Sequence, residues 1–263
     1  VRIDAHVHTA RCGHGTGCVA EYVAQARERG IDVITFTEHV PLPADLDPAR
    51  EYAMPPEQWA EYVSEVKAAR TDDVRVLLGA EADWLPGWND HVRGFLQAAD
   101  WDVVLGSVHF LDGWPFDSPA HAAEWETADV DAVWERYFEV LRDAASSGLF
   151  DVMAHPDLVK KFGYRPSVDP AEMFDATAEL LSDTGLAVEV STAGLRKPCA
   201  EIYPSEEFLH ACRRHGVPVT TGSDAHAPSE VGFALDQAVE LLRRVGYTEM
   251  VYFEKRRPRE VAL

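Results

Sequence analysis

Seven short, almost wholly apolar runs recur along this chain, and each is followed by a longer stretch with helical periodicity. The runs lie at 2–6, 32–37, 74–80, 103–108, 151–154, 187–190 and 217–222, with a weaker eighth at 250–253. The helical patterns lie at about 19–29, 56–70, 89–99, 129–147, 169–184, 204–215 and 229–245. Strands buried on both faces read as continuous apolar runs, and their alternation with helices predicts an α/β fold built on a parallel sheet. One helix start is explicit: Asp169 stands at the N-cap position, Pro170 at the first helical position and Gly185 past the end. The chain has 263 residues, and a (β/α) barrel takes about 250. Seven or eight units therefore fit a barrel better than an open sheet. With no internal repeat, low-complexity segment or linker, residues 1–263 read as one domain.

The chemistry-bearing residues fall in register with these runs. His6 and His8 close the first, Glu38 and His39 the second, and Glu81 and Asp83 follow the third. His109 ends the fourth, His155 and Asp157 the fifth, Glu189 lies near the end of the sixth, and Asp224 and His226 follow the seventh. In a parallel barrel the C-terminal ends of all strands share one face, where active sites form. Seven of the 11 histidines, at 6, 8, 14, 39, 109, 155 and 226, lie at or just beyond such ends. Packing alone does not explain so many: they would repel when protonated and leave ring nitrogens unpaired. Metal ligation does explain them, since neutral imidazole binds zinc, manganese and iron and carboxylates complete such sites. His6 and His8 have the i, i+2 spacing that puts both on one face of a strand. His91, His121, His210 and His215 read as surface or packing residues.

Composition narrows the partners. The balance of 24 basic against 45 acidic residues gives a formal net charge of −21, a field that repels nucleic acid and anionic membranes. Any phosphate-bearing substrate must therefore meet strong local positive charge. Lys255, Arg256, Arg257 and Arg259, the one basic cluster, read as a solvated tail. No apolar run is long enough to span a membrane, and the N-terminal VRIDAHVH lacks the shape of a signal peptide. Cys12, Cys18, Cys199 and Cys212 form no CxxC pair, which suits a reduced cytoplasmic protein. Cys12, His14 and Cys18 suggest a small zinc site, but the wider histidine pattern offers His14 a better use.

The segments DAHVHT (4–9), CGHG (12–15), TEHVPL (37–42), GAEADW (79–84), GSVHFLDGWPFD (106–117), AHPDL (154–158), STAGLRKP (191–198), EIYPS (201–205) and GSDAH (222–226) together resemble the PHP (polymerase and histidinol phosphatase) superfamily. They are most similar to its monofunctional histidinol-phosphate phosphatases. The resemblance implies a distorted (β/α)7 barrel, TIM-barrel-like, with three divalent ions. It implies His6, His8, Glu81 and Asp224 around the first ion, Glu81, His109 and His155 around the second with Glu81 bridging, and His14, His39 and His226 around the third. Ser191 departs from the family, where Asn is expected, and this affects one local hydrogen bond. The resemblance also implies a phosphate-binding Arg196, whose planar fork suits that anion.

Three divalent ions would bring six positive charges against two carboxylates, which answers how so acidic a protein could hold a phosphate. Such ions lower the pKa of water and clamp oxygens around an in-line displacement at phosphorus. Asp224 and His226 are candidates for the general acid as well as for ligation. Lys160 and Lys161 read as a solvated pair, with Lys161 also a candidate for substrate binding. Trp84, Trp88, Trp114, Asp83 and Asp117 are candidates for reading the rest of the substrate. The expected activity is hydrolysis of a small phosphomonoester, L-histidinol phosphate, to L-histidinol and phosphate in histidine biosynthesis. Two alternatives stand beside it: a PHP phosphoesterase for nucleotides, sugar phosphates or nucleic-acid ends, and a non-catalytic metal-binding module. Metal identity and oligomeric state are open at this point.

Overall fold

The computed structural model describes residues 1–263. Strands β1 (Ile3–Val7), β2 (Val33–Phe36), β3 (Arg75–Asp83), β4 (Val103–Ser107), β5 (Val152–Met153), β6 (Ala187–Ser191) and β7 (Val219–Gly222) form one sheet in chain order. Every neighbouring pair is parallel. The connections carry helices α1 (Val19–Glu28), α2 (Trp59–Ala68), α3 (Asn89–Leu96), α4 (Val130–Ser146), α5 (Ala171–Thr184), α6 (Glu206–His215) and α7 (Leu235–Val245). The seven strands expected from sequence are all present, in a nearly closed barrel. The helix expected from 229 starts instead at Leu235, because Pro228–Glu230 takes a 3-10 turn and Ala234 a left-handed conformation.

Closure between the first and last strands is made mostly by side chains. Val7 bridges Ala225, and the His8 amide donates to the Ala225 carbonyl at 2.8 Å. Below that point, Asp4 accepts from the Ser223 amide at 2.8 Å, the Ser223 hydroxyl at 2.6 Å and the Gly232 amide at 2.7 Å. The Thr221 hydroxyl donates to the Ile3 carbonyl at 2.7 Å. These contacts satisfy polar groups on the two edges that no ladder pairs.

Outward-facing strand residues such as Phe36, Leu78, Val104 and Val188 pack with Tyr22, Tyr62, Trp134, Tyr137 and Phe174 of the helices in the main core. At the opposite end of the strands from the histidines, the barrel is stoppered by an antiparallel hairpin of β8 (Glu249–Glu254) and β9 (Arg257–Ala262). Met250 packs with Ile3, Val33, Leu77 and Val219, while Val251 and Phe253 pack with Val103, Leu105, Val152 and Ala187.

This hairpin corrects the reading of the basic cluster as a solvated tail. Lys255 and Arg256 form its two-residue turn, both with positive φ. That backbone usually needs Asn or Gly, so the ordinary hairpin signal is absent from the sequence. Here the turn is held from outside: the Lys255 amide donates to Asp102 Oδ1 at 3.2 Å, and Arg256 Nε lies 2.9 Å from Asp151 Oδ2.

Candidate metal centre

The polar end of the barrel begins with an irregularity in β1. Asp4 pairs with Ile34 but Val7 pairs with Phe36, so three residues of β1 span two of β2. Such a bulge switches the face on which later side chains emerge. It turns His6 and His8, both fully buried, toward the barrel axis while Val7 stays in the outer core. β3 runs further than its apolar pattern suggested, to Asp83, so Glu81 lies within the strand and bridges His39. His109, His155, Asp224 and His226 sit on the loops just after β4, β5 and β7. His155 and Asp224 have positive φ, 29° and 48°, the kind of backbone strain that concentrates at functional sites.

All nine residues expected to ligate metal come together around Glu81. Its Oε2 lies 3.2 Å from His6 Nε2, 3.3 Å from His8 Nε2 and 3.1 Å from His39 Nδ1. Its Oε1 lies 3.0 Å from His155 Nε2 and 3.8 Å from His109 Nε2. Each carboxylate oxygen thus faces its own set of imidazoles. Asp224 Oδ1 lies 3.7 Å from His6, 3.5 Å from His8 and 3.4 Å from His226. His14 and His226 meet through their Nε2 atoms at 3.1 Å. His39 stacks on His8 with ring centroids 4.3 Å apart and is 5.4 Å from His14, so it stands between two of the expected groups.

Two carboxylates outside this set orient the rings. Glu189 Oε1 accepts from His6 Nδ1 at 2.9 Å, and its Oε2 accepts from the His155 amide at 2.9 Å. Asp83 Oδ1 accepts from both the amide and Nδ1 of His109, at 3.1 and 2.9 Å. A neutral ring that donates from Nδ1 presents a bare lone pair at Nε2. In their neutral form, His6 and His109 therefore turn an Nε2 lone pair toward the Glu81 carboxylate. Nδ1 of His8, His39 and His155 and Oε2 of Glu38 are buried with no hydrogen-bond partner.

Acceptors facing acceptors in a buried site repel unless a cation lies among them. The charge states of the carboxylates and of four of the seven rings agree. Burial works against Glu81 as an anion, yet His6, His39 and His155 outweigh it and hold its pKa well below the usual range. His6 and His226 do the same for Asp224 against its burial. Burial pushes His39 well down, with His8 and His14 adding to the effect, and burial with His8 takes His226 to about 3. His8 and His14 are also lowered, chiefly by burial. His6 and His109 go the other way, so their Nε2 atoms keep a proton that a bound cation would displace. Glu189 and Glu81 overcome the burial of His6, and Asp83 overcomes that of His109, raised to about 10. His8, His14, His39 and His226 thus resist protonation while Glu81 and Asp224 keep their charge. The donor set, imidazole plus carboxylate, suits zinc, manganese or iron. Groups of donors within 4.8 Å of one another include His6, His8 and Glu81; His8, His39 and His226; and His39, Asp83 and His109.

Above the cluster lies a cavity of about 250 Å³ whose lining includes Tyr52, Asp117, Lys161, Arg196, Lys197 and Tyr203. Arg196 is fixed from behind. Its NH2 donates to the carbonyls of Ser223 and Asp224 at 2.9 and 3.1 Å, Nε lies 3.4 Å from Glu230, and NH1 is buried without a partner. Lys161 donates to Asp117 at 2.8 Å on the cavity wall.

The expected solvated lysine pair is corrected on both counts, most strongly at Lys160. That side chain is fully buried, 2.8 Å from Asp157 Oδ2 and from the Ile202 carbonyl, and 3.1 Å from Glu201. Those partners lie up to 42 residues away, which is why a KK dipeptide read as solvated. Of the residues considered for reading the substrate, Asp83 and Asp117 line the cavity and the three tryptophans do not. Trp84 donates to Asp143, Trp88 packs on His91, and Trp114 packs on Trp125. Cys18 is exposed, and the Cys12 thiol donates to the Thr9 carbonyl, while Cys12, His14 and His226 form a further group of neighbouring donors. Lys197 and Glu230 were not singled out from sequence. For Lys197 the adjacency to Arg196 in LRKP was the available signal.

A parallel seven-stranded barrel with a buried imidazole–carboxylate cluster at its C-terminal face defines a class, the metal-dependent barrel hydrolases. Within it, the chain belongs to the PHP family: the family profile described as PHP domain matches residues 4–193, and a second, described as PHP-associated, matches 207–237. The chain is 42% identical over 249 residues to a probable histidinol-phosphatase of Deinococcus radiodurans, covering 92% of this chain and 93% of that one. It is 28% identical to the histidinol-phosphatase of Bacillus subtilis, covering 90% and 98%. The fold superposes on histidinol phosphate phosphatase from Lactococcus lactis, solved with zinc, L-histidinol and phosphate, with a TM-score of 0.83 at 19% identity over 98% of both chains. No helix is long and apolar enough to cross a membrane.

Proposed function

We propose that this chain is a metal-dependent phosphomonoesterase that hydrolyses L-histidinol phosphate to L-histidinol and phosphate. The observation that carries this is the convergence of five imidazole nitrogens on the two oxygens of Glu81, beneath a cavity walled by Arg196 and Lys161. The full-length similarity to the histidinol-phosphatases of Deinococcus and Bacillus supports the choice of substrate.

In this reading three divalent ions are held by His6, His8, Glu81 and Asp224; by Glu81, His109 and His155; and by His14, His39 and His226. When bound, such ions neutralise phosphate charge and make water a better nucleophile near neutral pH. Zinc, manganese and iron all suit the donors. The protein's own residues do the rest. Glu189 and Asp83 fix the tautomers of His6 and His109. Arg196, anchored through NH2, offers its unpaired NH1 to a phosphoryl oxygen. Lys161, steadied by Asp117, adds positive charge to the wall facing the substrate. Asp224 and His226 act by holding metal. Residues 1–263 work as one catalytic unit, and the four free cysteines suit a reducing cytoplasm.

The test is phosphate release from a panel of phosphomonoesters and a labelled oligonucleotide, with and without chelator, alongside elemental analysis. The expected result is two to three ions per chain, loss of activity with chelator, and kcat/KM for histidinol phosphate at least about tenfold above generic esters. That is about 1.4 kcal/mol of transition-state discrimination. Equal rates across the panel would make the protein a broad phosphatase, and turnover without metal would overturn the reading.

A further inference from the structure

The reaction leaves one proton without an obvious donor. An aliphatic alkoxide is a poor leaving group unless it is protonated as its bond to phosphorus breaks, and Asp224 and His226, as ligands, are poor proton donors. Three cations line the cavity, and two are committed. The Lys161 ammonium is paired with Asp117 at 2.8 Å. Arg196 is anchored to the Ser223 and Asp224 carbonyls and lies beside Glu230.

The third is Lys197. Its backbone is fixed, its amide donating to the Gly194 carbonyl at 3.1 Å, and its side chain is half-buried on the cavity wall. Its ammonium has no hydrogen-bond acceptor and no carboxylate within ion-pair distance. A flexible stem with an unspent ammonium can follow a leaving oxygen as it separates; an anchored guanidinium cannot.

We propose that Lys197 is the general acid of this phosphatase, donating a proton from Nζ to the ester oxygen as the P–O bond breaks. The oxygen of water forms the new bond to phosphorus, the electron pair of the breaking bond goes to the ester oxygen, and that oxygen takes the Nζ proton to leave as the alcohol. The proton shed by the attacking water returns through solvent to restore the ammonium.

The surroundings favour proton release at that moment. Burial lowers the Lys197 pKa, Lys161 and Arg196 lower it further, and Asp224 and Glu230 only partly oppose them. A lowered pKa makes the ammonium a better proton donor than a fully basic amine. The role goes beyond phosphate binding, for which Arg196 is already placed.

This inference rests on the phosphatase reading, and the leaving group separates the two. A nitrophenolate needs no acid; the alkoxide of histidinol does. Wild type and Lys197→Met are compared on histidinol phosphate and on p-nitrophenyl phosphate, with inhibition by inorganic phosphate measured on both proteins. The expected result is a fall of about 10²–10⁴ in kcat on histidinol phosphate, a change of less than about threefold on p-nitrophenyl phosphate, and unchanged phosphate inhibition. Lys197→Arg, which keeps the charge but cannot give up its proton, should behave like Lys197→Met. Metal content and thermal unfolding of both variants show whether the fold is intact. Equal losses on the two esters would overturn the proposal, as would recovery in Lys197→Arg. Weakened phosphate inhibition would make Lys197 a phosphate ligand instead. A wild type inactive on both esters would count against the phosphatase reading itself.

Discussion

Replacing Glu189 by glutamine tests whether one buried carboxylate sets the state of the whole cluster. Glu189 lies on β6, fully buried, and accepts at one oxygen from His6 Nδ1 and at the other from the His155 amide, both at 2.9 Å. Glutamine keeps the shape but turns one acceptor into a donor. Whichever way the amide sits, its NH2 faces an N–H of the wild-type pair, so one bond is lost and one buried donor is stranded unless His6 moves its proton to Nε2. Losing a hydrogen bond to a charged group costs about 1.5–3 kcal/mol, and an unsatisfied buried donor about 1–3 more. A net loss of about 3 kcal/mol lowers Tm by roughly 6–12 °C in a domain of this size. The second effect is chemical. Without its acceptor, His6 can place its proton on Nε2 and withdraw the lone pair aimed at Glu81. Loss of such an orienting partner typically weakens metal affinity about 10–100-fold. The assay is retained metal after dialysis against graded chelator, with thermal unfolding of loaded and stripped protein in parallel. Variant and wild type should differ less in Tm once stripped, because part of the loss acts through bound metal. If Glu189→Gln retains metal as tightly as wild type while losing stability, Glu189 is a core acid only and the tautomer argument fails.

Gly222→Ala should reproduce this phenotype from the other side: a Cβ there would sit 2.2 Å from Glu189 Oε1 and 2.8 Å from His6 Cβ, and metal retention by the purified variant checks it. Glu81→Gln should loosen two ions together and abolish turnover, whereas His14→Ala, removing the ring that meets His226, should disturb one; elemental analysis beside kinetics distinguishes them. Arg196→Ala should lower kcat/KM roughly ten- to a hundredfold through loss of a charged hydrogen bond and weaken inhibition by phosphate, with metal content unchanged.

What the sequence made legible was whatever one strand or one loop contributes by itself. The apolar runs located seven strands, and the acids and histidines at their ends located one face, because burial on both sides and the common direction of parallel strands act locally. What stayed hidden depends on pairing. The bulge in β1 exists only relative to β2, so the inward turn of His6 could be expected from HxH spacing but not explained by it. Lys160 needed Asp157, Glu201 and the Ile202 carbonyl to become a core residue. The closing hairpin needed Asp102 and Asp151 to hold a turn whose own residues, Lys255 and Arg256, argue against it. Of the tryptophans near the motifs, Trp84 and Trp114 went to core packing, since a large apolar ring gains more there than beside charged ligands, while Trp88 stays exposed.

The seam between β1 and β7 has a bearing on how the protein comes to be folded. The contacts that close it join residues 218 to 228 positions apart, nearly the full length of the chain, so loop-closure entropy makes them the most demanding to form. His6 and His8 stand on one side of that seam, Asp224 and His226 on the other. A chain with its first six strands assembled would have a sheet, several helices and a core, but only part of the cluster. By the ligand sets proposed above, Glu81, His109 and His155 come together before the seam closes, whereas the two sets that need Asp224 or His226 are complete only when the circle is, so their metal affinity would report closure of the barrel.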